Sequence, residues 1–436
     1  MTASADYRPL AAWSIALLLT GLSLINFLDK IVLGMVAVPL MAEFNLSPAA
    51  FGVIAGSFFW LFSVSAVAGG FLANRISTRW ILLAMAVTWS LLQVPLAFAA
   101  GVLPILSCRV ILGAMEGPAA PVSVHAVFKW FPNHKRSLPV AVINQGAALG
   151  VIVAGLVIPL VTRGWGWRMN FLILAAIGAI WSVLWLCFGR EGQLQEAAAS
   201  YPGVTSADGH ATAKPARLPY RTILSSPYVL LVFLLGFAAY WTLGLVLTWL
   251  PAYLEKGLGF NGITAGRLFA MVVLCSTPTT IGLCWLSQRL LTSGASTRKA
   301  RVQLINFCFL LSGALFLALV AFDLTPMQKV LLFTFASAPP AVCFALASPI
   351  LAELVPAGQR GAIFAIHTAL SSLAGVIAPA VMGRLLQAHG TADAHGYETG
   401  FLIGAVVLIA SALASLCFLH PERASQVRRT RATEPA

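Results

Sequence analysis

The sequence predicts an all-α membrane protein of twelve transmembrane helices, arranged as two six-helix pseudo-repeats with both termini on the cytoplasmic side. Three observations carry this expectation. Of 436 residues, 59% are hydrophobic and only 9% are charged, against roughly 25% charged in a soluble domain. Apolar runs long enough to cross a bilayer, about 20 residues each, recur from end to end. The Lys and Arg residues between those runs fall overwhelmingly on one side.

The predicted spans lie at 12–40, 49–73, 80–100, 102–128, 137–161, 169–189, 227–255, 263–288, 302–322, 327–353, 361–386 and 398–419. The first run, Trp13 to Pro39, is too long for a signal-peptide core and lacks a small-residue cleavage pattern, so it reads as a span. Counted on alternate sides, nineteen Lys and Arg residues, Arg8, Arg75, Arg79, Lys129 and Arg136 among them, lie on one face and six on the other. The positive-inside rule places the richer face in the cytoplasm. Residues 190–226 are polar and carry Pro202, Pro215 and Pro219. They read as a cytoplasmic linker between an N-terminal bundle, 1–189, and a C-terminal bundle, 227–419, with a cytoplasmic tail at 420–436.

A net charge of +13 invites a nucleic-acid reading. The basic residues are dispersed over loops instead of gathered on one soluble face, which excludes it. The seven cysteines all fall in apolar runs and form no CxxC pair, so neither a disulfide framework nor a zinc site is expected. A weak repeat links the halves. Pro132 and Arg136 follow the fourth span as Pro-x-x-x-Arg, and Pro356 with Arg360 follows the tenth in the same way. Ala73-Asn74-Arg75 and Ser287-Gln288-Arg289 correspond likewise. Parallel duplication of this kind is a transporter architecture with its site between the halves near the midplane.

Four charged residues lie deep in the apolar spans: Asp29, Lys30, Arg109 and Glu116. A charge at the bilayer centre costs from about 2.5 to more than 10 kcal/mol, so such residues are functional unless they only neutralise one another. Asn26 lies three residues before Asp29. Arg109 and Glu116 are seven residues apart, which at about 100° per residue returns them to one stripe. A structural charge network between two helices is one reading. Proton and anion handling is the other: a carboxyl in a low-dielectric cavity can carry a proton reversibly, and a buried cation can hold a substrate carboxylate.

These residues bring a resemblance. Asn26-Phe27-Leu28-Asp29-Lys30 resembles the first-helix signature of the anion:cation symporter family of the major facilitator superfamily. So do the run from Arg109 to Pro118 with Pro121 after it, Trp130-Phe131-Pro132 with Arg136, and Gly166-Trp167-Arg168. The resemblance implies the major facilitator fold and transport of sugar acids or other organic anions. It implies proton coupling at Asp29 and Glu116, anion binding at Lys30, and a linking role for Arg109. Lys30 stands where the family usually has Arg, which gives a point charge in place of a planar fork. Gly70, Asn74, Arg75 and Arg79 resemble the superfamily's gating loop, with Asn74 where Asp is usual. The missing carboxylate implies a less firmly latched cytoplasmic gate.

Further candidates for the substrate site are Asn144 and Gln145 in the fifth span, Tyr240 and Trp241 in the seventh, and His367 in the eleventh. Phe58, Phe59 and Trp60 read as packing or cavity lining. His389 and His395 flank Asp393 in an outer loop, which reads as solvated polar chain and not as a metal site. Pro118, Pro121, Pro278, Pro339, Pro340 and Pro379 mark kinks within spans.

The expected activity is proton-coupled uptake of a small organic anion such as a sugar acid, dicarboxylate or aromatic carboxylate, by alternating access. Alternatives are a drug/proton antiporter or an organic-anion exporter. Residues 150–156 of the fifth span lack the Gly-Pro and Gly-Gly pattern of the antiporters. No HExxH or GxSxG occurs, so no enzyme is expected. The expected partners are the anion, protons and membrane lipid, with no nucleic acid and no cofactor besides the coupling proton. The expected setting is a monomer in the inner (plasma) membrane of a bacterium.

Overall fold

The computed structural model describes residues 8–73, 75–132, 135–192, 218–356, 359–391 and 393–420. Twelve helices among them are long and apolar enough to cross a membrane, as the sequence predicts. They run Pro9–Met35, Pro48–Gly69, Thr78–Ala97, Val102–Phe128, Leu138–Trp165, Trp167–Phe188, Pro227–Thr248, Gly262–Thr292, Arg298–Ala321, Pro326–Leu354, Arg360–His389 and Ala394–Phe418. They are called the first to twelfth spans below.

Span ends follow local chemistry. The first span stops at Met35 and a separate helix, Ala37–Phe44, carries the chain to the turn. That helix ends on Asn45 in the left-handed region at φ 49°, a conformation Asn tolerates. Ser47 then caps the second span by accepting from the Ala50 N–H at 3.2 Å, and Pro48 takes the first helical position. Gly166, at φ 83°, joins the fifth and sixth spans with no further loop. The twelfth span begins earlier than expected because Asp393 caps it, accepting from the His395 N–H at 2.9 Å. His389 and His395 meet edge to face at 6.1 Å.

The kinks are only partly where proline predicts them. The fourth span breaks into Val102–Glu116 and Ala119–Phe128 at Gly117-Pro118, and the tenth breaks into a 3₁₀ turn at Pro339–Ala341. Pro278 and Pro379 sit inside continuous helices, Gly262–Thr292 and Arg360–His389. The Pro379 carbonyl also accepts from Trp249 Nε1 at 3.0 Å, tying the eleventh span to the end of the seventh.

The internal repeat is visible in hydrogen bonds. After the fourth span, Arg136 Nε donates to the Phe131 carbonyl at 3.0 Å and the Lys135 N–H to that of Pro132 at 2.8 Å. After the tenth, Arg360 Nε donates to the Val355 carbonyl at 3.3 Å and the Gln359 N–H to that of Pro356 at 2.9 Å. Each arginine thus closes the same turn around the same proline.

Within the first six spans, the first packs on the fifth and the third on the sixth. In the second six, the seventh packs on the eleventh and the ninth on the twelfth. Between the two sets, the second span meets the eleventh and the fifth meets the eighth. These contacts gather at the end of the molecule away from residues 8 and 420. There the second and eleventh spans touch backbone to backbone: a Cβ on Gly52 would lie 2.3 Å from the Pro379 carbonyl oxygen, and one on Gly383 2.3 Å from that of Pro48. Phe51 meets Trp249 edge on at 5.1 Å beside them. Ser63 and Ser372 hydroxyls meet near the middle. Beyond that point the eighth span is largely uncovered, with Trp285 58% exposed. The backbone-close contacts between the two sets, among the described residues, therefore lie at the end away from the termini, called the closed end below.

This seam depends on small residues, since side chains there would separate the backbones by more than the packing tolerates. Gly52→Val is expected to pry the closed end apart. In a cysteine-free background, a reporter introduced as Ala380→Cys should then react faster with a water-soluble maleimide. Unchanged labelling would show that this contact does not hold the end shut.

Candidate functional site

The four central charges come together as the sequence predicts, in two groups. Lys30 and Asn26 are one turn apart on the first span, so their side chains share a face. Lys30 Nζ donates to Asn26 Oδ1 at 2.5 Å, and Asn26 Nδ2 donates to Glu116 Oε2 at 2.8 Å. Lys30 Nζ itself lies 3.7 Å from Glu116 Oε2. The ammonium also sits 4.5 Å from the Phe27 ring centroid and 5.2 Å from that of Phe62. Cation–π contact of this kind offsets part of its lost hydration.

Asp29 points a different way. The Arg109 guanidinium donates to the Asp29 backbone carbonyl at 3.2 Å and lies 4.7 Å above the Phe58 ring. Asp29, Arg109 and Glu116 are all buried. Buried polar atoms are nearly always hydrogen-bonded, yet Asp29 Oδ1 and Glu116 Oε1 have no partner. Each acid thus keeps one enclosed oxygen free, where a proton can bind.

Beside this cluster a cavity of about 200 Å³ opens between the two sets of helices, lined by Phe27, Ala148, Val151, Thr242, Val272 and Phe344 among others. The sequence candidates distribute unevenly around it. Asn144 lies one turn from Ala148, on the stripe that continues through Val151 to Gly155, so its exposed side chain faces the gap. Gln145 is placed elsewhere. It is exposed on the stripe of Leu149 and Leu156, the outward face of the fifth span. A single-residue step turns a helix by about 100°, which sets Gln145 that far round the fifth span from Asn144. Tyr240 does reach the cavity wall, edge on to Phe59 and to Phe344, each at 5.7 Å. Trp241 turns away and packs near Gly404 of the twelfth span. His367 packs on Gly236 and stacks on Phe233 at 5.6 Å, buried within the C-terminal helices.

Of the gating-loop residues, Asn74 lies outside the described residues. Gly70 falls in the helix Phe59–Leu72, and Arg75 is exposed. Arg79 donates from Nη2 to the Leu186 carbonyl at 3.0 Å, tying the third span to the sixth. Glu191, which the sequence did not single out, is the carboxylate at this place. It accepts from Ser77 Oγ at 2.6 Å, from the N–H groups of Thr78 at 3.3 Å and Arg79 at 3.0 Å, and from Thr78 Oγ1 at 3.0 Å. It also pairs with Lys129. One carboxylate therefore caps the third span and holds the end of the fourth. Gln93 was missed as well. It is buried in the third span, with its amide in reach of the Asp29 carboxyl. An amide inside an apolar run was its available signal. A further pair lies near the closed end, where Glu398 accepts from Lys329 Nζ at 2.6 Å and Tyr253 Oη at 3.0 Å.

Comparison with known proteins agrees with this geometry. The sequence profile described as Major Facilitator Superfamily matches residues 19–337 and 289–435. The chain is 27% identical over 404 residues to the sodium-dependent phosphate transport protein 1, chloroplastic, of Arabidopsis thaliana, covering 91% of this chain and 78% of that one. It is 26% identical over 409 residues to the hexuronate transporter of Bacillus subtilis, covering 91% and 92%. Among solved structures, a bacterial homolog of the human lysosomal transporter Spinster, inward-facing and unoccupied, superimposes with a TM-score of 0.74 at 18% identity. That match covers 98% of this chain and 100% of the other.

Glu191 gives a pH prediction. Burial works against its ionised form, but hydrogen bonds from Lys129, Ser77, the Arg79 N–H and Thr78 hold its carboxyl down to about 2. A depressed folded-state pKa gives stability that is complete above the unfolded value, about 4.3, and is lost as pH falls toward 2. Melting temperature is thus expected to fall as acid is added below about pH 5. Glu191→Gln should lower it at pH 7 and flatten the acid limb. Parallel wild-type and variant curves would show that this carboxylate adds nothing.

Proposed function

The chain belongs to the Major Facilitator Superfamily, and on that premise we propose that it imports a small organic anion together with protons. The carrying observation is the juxtaposition of Lys30 with two buried acids that each keep an unpartnered oxygen. Lys30 is the one central charge with appreciable exposure, 11% of its side chain, whereas Glu116 has none. A substrate carboxylate at Lys30 competes for the ammonium that Asn26 and Glu116 now share. Glu116 deprived of that ammonium is a buried unpaired charge, a costly state that a proton at Oε1 relieves. Anion and proton then load together because each lowers the cost of the other. Asp29 serves as the second proton site. Arg109 stands between the two acids, bound to the Asp29 carbonyl.

The bundles at 1–189 and 227–419 act as the two rocking bodies and the 190–226 linker joins them, each body closing the site from one side in turn. With nineteen of the loop and tail cations on the terminal face, that face is assigned to the cytoplasm. In this proposal the site opens toward that face, opposite the seam of the second and eleventh spans. The setting proposed is the inner membrane of a bacterium, with the chain working as a monomer. Relatives named for hexuronate and for phosphate support an anionic cargo.

The test is uptake into proteoliposomes from a panel of sugar acids, dicarboxylates and aromatic acids, driven by an inward proton gradient. Asp29→Asn and Glu116→Gln are each expected to lower gradient-driven uptake by about tenfold or more, while anion exchange persists. Lys30→Ala is expected to abolish both. Gradient-driven uptake that survives Asp29→Asn removes Asp29 from the coupling. Uptake driven by a sodium gradient alone would replace the proton as the coupling ion.

A further inference from the structure

The walls of the cavity narrow the class of anion. We propose that the cargo is a small aromatic monocarboxylate, its single carboxylate on Lys30 and its ring against the apolar wall. This rests on the anion reading above and sharpens it.

The cavity holds about 200 Å³ and no charged side chain lines it among the described residues. Phe27 and Phe344 supply rings, and Leu243, Val246 and Val272 supply aliphatic surface. Side-chain hydroxyls on the wall are Thr242, Ser276 and Ser337, with the Tyr240 phenol beside Phe344 and the Asn144 amide one turn from Ala148. Ser276 Oγ already donates to the Val272 carbonyl at 3.3 Å and Ser337 Oγ to that of Thr334 at 3.4 Å. A sugar acid brings several hydroxyls, and each that leaves water without a partner weakens binding. This wall offers too few partners for them.

Charge makes the second distinction. A dicarboxylate needs two cations, or one planar fork, to leave water. Lys30 is a single point charge. Arg109 is buried and already held by the Asp29 carbonyl and the Phe58 ring. The second carboxylate would lie against apolar wall. The Lys30 ammonium stands 4.5 Å from the centroid of Phe27, a ring that also lines the cavity. A carboxylate on the ammonium therefore sets its substituent on the wall. Tyr240 links Phe59 to Phe344 in a chain of edge-on rings, each contact at 5.7 Å, and edge-on packing is also how a further ring is held. The volume suits one ring, below the range of about 300–1,000 Å³ for drug-sized ligands.

Equilibrium binding of radiolabelled benzoate to the purified full chain, with gluconate and succinate as competitors, tests this. Benzoate is expected to bind at least about tenfold more tightly than either. Lys30→Ala should abolish its binding, Phe344→Ala should weaken it about tenfold, and Phe344→Tyr should preserve it. Gluconate or succinate binding as tightly as benzoate, and lost in Lys30→Ala, overturns this inference and leaves the anion reading standing. Benzoate affinity unmoved by Phe344→Ala overturns the assignment of the ring to this cavity. Binding of none of the three, or benzoate binding indifferent to Lys30→Ala, brings down both readings.

Discussion

Charge buried in an apolar interior must be answered on the spot, and the centre of this protein is organised by that constraint. Two acids and two bases lie within two facing helices, at positions where hydration is lost. Their compensation is incomplete and asymmetric. Lys30 answers Glu116 through Asn26, while Arg109 answers the backbone of Asp29 and not its free carboxylate oxygen. A network built only to hold helices together gains nothing from leaving two oxygens unsatisfied. The unfinished part of the network is the part available for chemistry.

The twelve spans and their buried charges were legible because each is a departure from a uniform background. A 20-residue apolar run and a lone carboxylate within it both stand out in one sequence. Glu191 does not, because an acid in a polar loop is ordinary, and only the fold reveals that it caps the third span. Lys329 and Glu398 were hidden for a related reason. Each lies near a span end, where snorkelling to water is the default expectation, and the fold instead buries Glu398 between Lys329 and Tyr253. Asn144 and Gln145 show the opposite limit. Polarity alone predicted that both face inward, but the two diverge by about 100° and Gln145 falls on the stripe of Leu149 and Leu156. The direction of the cavity decides which of them faces it, and that direction depends on which helices neighbour the fifth span.

The two ends of the molecule are held by different physics. At the closed end the second and eleventh spans meet through carbonyls and glycine, with little side-chain polarity between them. Such a seam is strong when close and falls away within an ångström, since dispersion forces decay steeply. At the terminal end the named ties run within the first six helices: Glu191 to Lys129 and Ser77, Arg79 to Leu186. They stiffen one body and do not lock it to the other. A short-range seam on one side and internally braced bodies on the other is the arrangement a rocking motion requires.

Lys30, standing where the family it resembles usually has arginine, joins these themes. An arginine fork can hold Glu116 with one nitrogen and a cargo carboxylate with another. Lysine presents a compact charge on a flexible stem, already pulled toward Asn26 and Glu116. Sharing is then closer to exclusive: the ammonium serves the acid or the anion. On the proposed proton-coupled reading, exclusive sharing tightens coupling, because bound cargo leaves Glu116 in need of a proton. On the same proposal, the polar half of the site is smaller and selectivity falls to the apolar wall of Phe27 and Phe344. Under that proposal, lysine at this one position weights recognition toward shape over hydrogen bonding.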